Sequence, residues 1–120
     1  MVSRGEKFTR GHRLTTQSDF KRVYLVGKKH YSPFFILYLA PNRLPHNRLG
    51  VVVSKKIGKA VVRNRIKRAT REAFRRCPCK GEHGLDMVVV SGPNMVSLDS
   101  GQVAEFLMEK LSSYYQSEGA

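Results

Sequence analysis

Apolar positions change their period along the chain, and each change marks an element. Phe20, Val23 and Tyr24 recur at helical spacing behind Thr16-Gln17-Ser18-Asp19, which resembles a capping box with Asp in place of the usual Glu. A short helix is therefore expected from about Gln17, with Gly27 as its stop. Gly27-Lys28-Lys29-His30 reads as a basic turn. From Tyr31 to Ala40 the pattern becomes aromatic and β-branched, as in a strand. Phe34, Ile36 and Tyr38 fall on one side of it, and Phe35, Leu37 and Leu39 on the other. Both sides are apolar, so this strand is expected to be covered, at least in part, on two faces.

Pro41 to Asn47 is a loop, and Arg48 to Ser54 reads as a second strand, expected to pair antiparallel with the first across that short connection. Ser54 to Gly58 forms a strand-to-helix turn in which Gly58 can take a conformation closed to other residues. A second helix runs from Ala60 to about Arg76, since Pro78 excludes continuation. Cys77 to Gly84 is a loop, and Asp86 to Ser91 is a third apolar strand. A last helix from about Ser100 to Tyr115 places Val103, Phe106, Leu107, Leu111 and Tyr114 on its inner face, with Gln116 to Ala120 expected to fray. The order α-β-β-α-β-α predicts an α+β domain built as a two-layer α/β sandwich, one domain over all 120 residues.

Charge changes the picture more than any motif. There are 22 Lys and Arg against nine Asp and Glu, a net charge of +13, with a pI near 10.3. That imbalance points to nucleic acid before any other partner. No apolar run approaches the ~20 residues that span a bilayer, and no apolar segment follows the basic N-terminus as in a signal peptide. The expectation is a cytoplasmic protein with no membrane association and no obligate protein partner. Met1 to Arg13 carries Arg4, Lys7, Arg10 and Arg13 and reads as a flexible basic arm.

The charge is concentrated. Ser54 to Arg76 holds ten of the 22 cations and one acid, Glu72. On a helical wheel Val62, Ile66, Ala69 and Ala73 form a narrow apolar arc with Thr70 at its edge. Arg63, Lys67, Arg71 and Arg75 follow one another at four-residue steps opposite, with Asn64 and Arg68 beside them. Each such like-charge pair weakens an isolated helix by roughly 0.2–0.5 kcal/mol, so a polyanion is expected to relieve the repulsion. Aromatic residues at Phe20, Tyr24, Phe34, Phe35 and Tyr38 serve a core, but single-stranded nucleic acid is bound where such rings meet a cationic groove. Tyr24 and Tyr38 are the expected exposed members, because each hydroxyl needs water or a partner.

Catalytic chemistry is not indicated. No Ser-His-Asp order, paired carboxylates or phosphate-cradling glycine loop occurs, and nine scattered acids offer little for acid–base work. Cys77, Cys79 and His83 lack the fourth ligand and spacing of a structural zinc site, so no metal is expected. A structural RNA-binding protein of ribosomal type fits the size and charge as well, although it has no need of a single-strand groove. A DNA-reading helix-turn-helix lacks its paired scaffold helix.

The run from Ser54 to Phe74, SKKIGKAVVRNRIKRATREAF, resembles the signature of the bacterial ribonuclease P protein family, with Arg63-Asn64-Arg65 as its centre. Arg13-Leu14, Asp19-Phe20 and Val23-Tyr24 upstream, and Asp86-Met87-Val88-Val89 downstream, extend the resemblance over about Phe8 to Tyr115. It implies a ribosomal protein S5 domain 2-like fold with a left-handed βαβ crossover around the basic helix. It also implies the protein subunit of a ribonucleoprotein that removes the 5′ leader of precursor tRNA, with hydrolysis performed by the RNA subunit and its bound magnesium. By position, Lys55, Lys56, Arg63, Asn64, Arg65 and Arg68 would face the ribonuclease P RNA. Phe20, Tyr24, Tyr38, Lys67 and Arg71 would line a cleft for the leader.

Overall fold

The structure is a computed structural model that describes residues 12–77 and 84–118. Its elements are α1 (Gln17–Val26), β1 (Lys28–Tyr31), β2 (Phe35–Pro41), β3 (Arg48–Val52), α2 (Ala60–Phe74), β4 (Leu85–Ser91) and α3 (Ser100–Glu118). The four strands form one sheet in the order β1-β2-β4-β3. β2 is antiparallel to both β1 and β4, whereas β3 and β4 are parallel neighbours joined through α2.

Two features of the sheet depart from the pattern-based expectation. Lys28 to Tyr31 is an edge strand and not a turn. Its lysines hide the strand from a hydrophobicity pattern, and lysines on an edge are what discourage pairing with another chain. Ser32 closes the hairpin, its Oγ accepting the N–H groups of Phe34 and Phe35 at 3.2 and 3.1 Å. The second departure is that β2 and β3 do not pair, because β4 lies between them. Leu85 to Val89 are all buried, and a strand covered on both faces belongs in the middle of a sheet.

α2 and α3 cover one face of the sheet. Leu37, Leu39, Leu49, Met87 and Val89 meet Ile66 and Ala73 of α2 and Val103, Leu107 and Leu111 of α3 in the main core. Ala104 and Tyr114 are buried on the same side of α3, and the helix continues past Tyr115 to Glu118 instead of fraying at Gln116. Phe34 precedes β2 and packs on Phe106 at 5.5 Å, so it leaves the face that Tyr38 shares. The opposite face is covered only in part, by α1. Thr16 caps this helix through Oγ1, which accepts the Asp19 N–H at 3.1 Å, and Val23 is fully buried against Leu14, Ala40 and Val88. The expected basic arm is already anchored at its end: Arg13 bridges to Leu49, and Leu14 N–H donates to the Leu49 carbonyl at 3.0 Å. Met1 to Gly11 lie outside the described residues, as do Gly119 and Ala120.

One buried carboxylate ties these parts together. Asp86, fully buried near the start of β4, accepts from Arg48 Nε at 2.8 Å and Nη2 at 2.7 Å, and from Asn42 Nδ2 at 2.9 Å. Arg22 of α1 closes the cluster with its own ion pair to Asp86 and a 3.1 Å bond to the Pro41 carbonyl. Arg48 also reaches Asp19, at 3.6 Å. Burial pushes the Asp86 pKa up, but the hydrogen bonds of Arg48 and Asn42 and the charges of Arg48 and Arg22 outweigh it and hold the carboxyl below its usual range.

Removing that charge strands two guanidiniums. Asp86→Asn is expected to cost about 3–5 kcal/mol of unfolding free energy, measured by urea denaturation at neutral pH. Because the folded-state pKa is the lower one, this contribution is complete above the unfolded value of about 3.9 and is lost as pH falls through the folded value. The stability difference between wild type and Asp86→Asn is therefore expected to shrink below about pH 4.

Candidate nucleic-acid interface

The partly covered sheet face is where the aromatic residues collect. With Val23 buried, α1 turns Phe20 and Tyr24 toward the sheet one helical turn apart. Phe20 lies over Gly50 of β3 so closely that a Cβ there would stand 2.6 Å from its ring, so the seat requires glycine. Tyr24 meets Tyr38 of β2 edge to face, with centroids 4.9 Å apart, and Phe20 and Tyr24 are 6.4 Å apart. The three rings form a strip that runs across the strands from β3 to β2. Tyr24 is 41% exposed, and burial, with Tyr38 beside it, raises its hydroxyl pKa. The phenol is thus a neutral donor at physiological pH.

Cations flank the strip. On one side of Phe20 a cleft of about 200 Å³ is lined by Arg13, Gly50, Lys67 and Arg71. On its other side an open hollow of about 640 Å³ is lined by Gln17, Lys21, Tyr24 and Val52. Phe20 lines both, so Lys67 and Arg71 flank the strip at its Phe20 end. Desolvation first, and then the neighbouring charge of Arg13, lower the Arg71 pKa, although a guanidinium remains charged at any physiological pH. Two guanidiniums drawn into one cleft favour an anion between them.

The orientation of α2 differs from the wheel reading. Thr70 and Phe74 are buried along with Ile66 and Ala73, and Thr70 Oγ1 donates to the Ile66 carbonyl at 2.8 Å. The buried arc is therefore rotated toward the four-residue stripe. Arg63, Lys67, Arg71 and Arg75 become the half-buried flank of the helix, and Asn64, Arg65 and Arg68 its exposed crest. Overlap on the wheel resolves into a difference of height: Lys67 and Arg71 lean into the cleft, whereas the crest faces outward. Arg63 is held by a 3.1 Å bond from Nε to the Gly58 carbonyl. Gly58 has φ 157° and ψ −171°, a conformation that L side chains rarely adopt, and it brings the 3₁₀ turn Lys55–Ile57 against the start of α2. Lys59 stands at the N-cap without a side-chain cap, and no acid occupies the first turn. Exposed Lys55 and Lys56 thus sit beside the positive end of the helix dipole.

Sequence reasoning missed four contributors to this face. Arg13, expected in the arm, lines the cleft, and Gly50, expected only as part of a strand, seats Phe20. Lys29, expected in a turn, and Tyr31, expected at the start of a strand, both stand on the Tyr38 side of β1. Their two-residue spacing was the available signal.

Cys77 is buried, its Sγ donating to the Ala73 carbonyl at 3.5 Å, and burial pushes its thiol pKa up to about 12. Such a thiol is inert as a nucleophile or ligand at neutral pH. Cys79 and His83 lie outside the described residues. Among the described residues no three His, Cys, Asp or Glu side chains gather as metal ligands, and no helix is long and apolar enough to cross a membrane.

The sequence model of the Ribonuclease P family matches residues 8–115. The chain is 40% identical over 116 residues to a ribonuclease P protein component from Caldanaerobacter subterraneus subsp. tengcongensis, covering 94% of this chain and 97% of that one. Its counterpart from Thermotoga maritima is 41% identical over 85 residues, 71% of this chain and 73% of that one. In structure it is similar to the RNase P protein of Staphylococcus aureus, with a TM-score of 0.72 and 32% identity over 86% of this chain and 94% of that one. The RNase P protein of Thermotoga maritima superposes with a TM-score of 0.69 and 34% identity, over 82% and 94% of the two chains.

The seat of Phe20 can be tested without any ligand. Gly50→Ala is expected to destabilise by about 1–3 kcal/mol because the ring must move. In the Phe20→Ala background the same change is expected to be nearly neutral, which a double-mutant cycle of urea midpoints measures as coupling. Additive losses would mean that the ring does not depend on Gly50.

Proposed function

The chain belongs to the ribonuclease P protein family, the protein component of an endoribonuclease of tRNA 5′ processing, and from that premise we propose how its two cationic surfaces divide the work. The trough of Phe20, Tyr24, Tyr38, Lys67 and Arg71 takes up the unpaired 5′ leader of precursor tRNA. The crest of Asn64, Arg65 and Arg68, with Arg63, Lys55 and Lys56, binds the ribonuclease P RNA. The observation that carries this reading is the continuity of Lys67 and Arg71 with the aromatic strip through Phe20, while the crest stands apart and exposed.

The physical roles follow from residue type. Rings accept bases of any identity by stacking, which suits leaders of varied sequence. Lys67 and Arg71 neutralise leader phosphates at the wall of the strip, where partial burial weakens competition from solvent ions. The guanidiniums of the crest bind phosphate oxygens in pairs. A protein of net charge +13 placed where two anionic RNAs converge lowers their repulsion, and the affinity it adds falls steeply with salt.

Hydrolysis is assigned to the RNA subunit. Two of the described carboxylates are committed to cations: Asp86 is enclosed by Arg48, Arg22 and Asn42, and Asp19 faces Arg48. In this reading magnesium is bound with the RNA, and no step is routed through this chain's side chains. The protein works in the cytoplasm, where precursor tRNA is made.

The two surfaces are separable by titration of the assembled holoenzyme and of the free RNA subunit. Tyr24→Ala and Lys67→Ala are expected to weaken binding of leader-bearing precursor and to leave binding of mature tRNA nearly unchanged. For Tyr24 the loss is about 1–3 kcal/mol, the worth of one stacking platform. Arg65→Ala is expected to weaken assembly with the ribonuclease P RNA instead. Equal losses by every variant against both ligands would overturn the division.

A further inference from the structure

The aromatic strip does not end at Tyr38. In the β1–β2 register Lys29 lies opposite Tyr38 and Tyr31 opposite Ile36, which puts both β1 side chains on the face of the strip. Lys29 Nζ stands 5.5 Å from the ring centroid of Tyr31 and 5.5 Å from that of Tyr38. One ammonium thus links a strip ring to a further ring on the edge strand. Tyr31 is 64% exposed, among the most exposed large hydrophobic side chains described. A tyrosine that contributes so little to the core needs another reason to be held in place. Tyrosine, lysine and tyrosine in this order present two faces for stacking with one cation between them for phosphate. Single-stranded nucleic acid is the ligand that such an arrangement suits.

We propose that Lys29 and Tyr31 form an additional nucleotide subsite at the outer end of the trough, where a leader nucleotide beyond the one at Tyr24 and Tyr38 stacks on Tyr31 and places its phosphate at Lys29. The proposal rests on the leader reading of the trough and extends it. β1 adds one strand spacing, about 4.8 Å, to a track that crosses the strands. A stacked strand advances about 3.4 Å per nucleotide, so the edge strand adds room for one to two nucleotides. The occupant is a longer leader, and the subsite makes affinity depend on leader length.

The test uses holoenzyme assembled with the ribonuclease P RNA and precursor tRNAs whose leaders grow one nucleotide at a time. With wild type, affinity rises with length and gains a last step when the leader reaches β1. Tyr31→Ala is expected to remove that last step, a loss of about fivefold or more for long leaders, with progressively less effect as the leader shortens. Tyr31→Phe keeps the ring and is expected to keep the step. Lys29→Gln is expected to reduce the salt dependence of long-leader binding by the share of one phosphate contact, a log–log slope change of about 0.7. Circular dichroism of each variant at neutral pH confirms the hairpin. If Tyr24→Ala loses leader affinity while Tyr31→Ala matches wild type at every length, the subsite is overturned and the trough stands. If both match wild type at every length, the leader reading of the trough fails with it. A loss with Tyr31→Ala that is equal at all lengths and on mature tRNA would also overturn the subsite.

Discussion

The buried carboxylate of Asp86 holds the binding face in register. It draws Arg48 from β3, Arg22 from α1 and Asn42 from the connecting loop onto β4, and the first two contacts tie to β4 the strand and the helix that line the trough. A buried ion is costly to desolvate, and a single partner would not repay it. Three donors from three segments do, and they share the carboxylate's lone pairs without leaving a vacancy on either oxygen. The consequence is geometric. α1 is tied down near its middle by Arg22 and near its start through Asp19, so Phe20 and Tyr24 are delivered to Gly50 and Tyr38 at fixed distances.

The basic helix carries the opposite economy. Its like charges weaken it as an isolated element, and its N-terminus has neither a side-chain cap nor an acid to offset the dipole. Ile66, Thr70, Ala73 and Phe74 hold it by burial against the sheet and α3. Stability thus comes from the core side, and the repulsion on the other side is left for RNA to relieve. A ribonuclease P protein component that bound no polyanion would keep that repulsion with nothing gained.

Much of this was legible in the residues. The period of Val103, Leu107 and Leu111 gave the last helix, and the alternation of Phe35, Leu37 and Leu39 gave the central core strand. Arg63-Asn64-Arg65 and its flanks carried the family. What escaped was decided by long-range pairing. Lys28 to Tyr31 shows no apolar alternation because an edge strand needs none, and its partner β2 is what makes it a strand. The place of β4 between β2 and β3 follows from its burial on both faces, which a nearest-neighbour argument from loop length cannot see. The lean of Lys67 and Arg71 into the cleft depended on the burial of Thr70 and Phe74, a polar residue and one near the helix end that the wheel gave little weight. Phe20's seat needed Gly50, thirty residues away in sequence and adjacent only in the folded chain.

The proposed role is that of an assistant to an RNA catalyst, which brings a cationic, ring-lined trough to the substrate. The direct measurement is cleavage of precursor tRNA by the ribonuclease P RNA at low magnesium, with and without the protein. The protein is expected to restore cleavage that the RNA alone performs poorly, and added monovalent salt to reverse the gain steeply. Equal rates with and without the protein, across a range of salt, would contradict it.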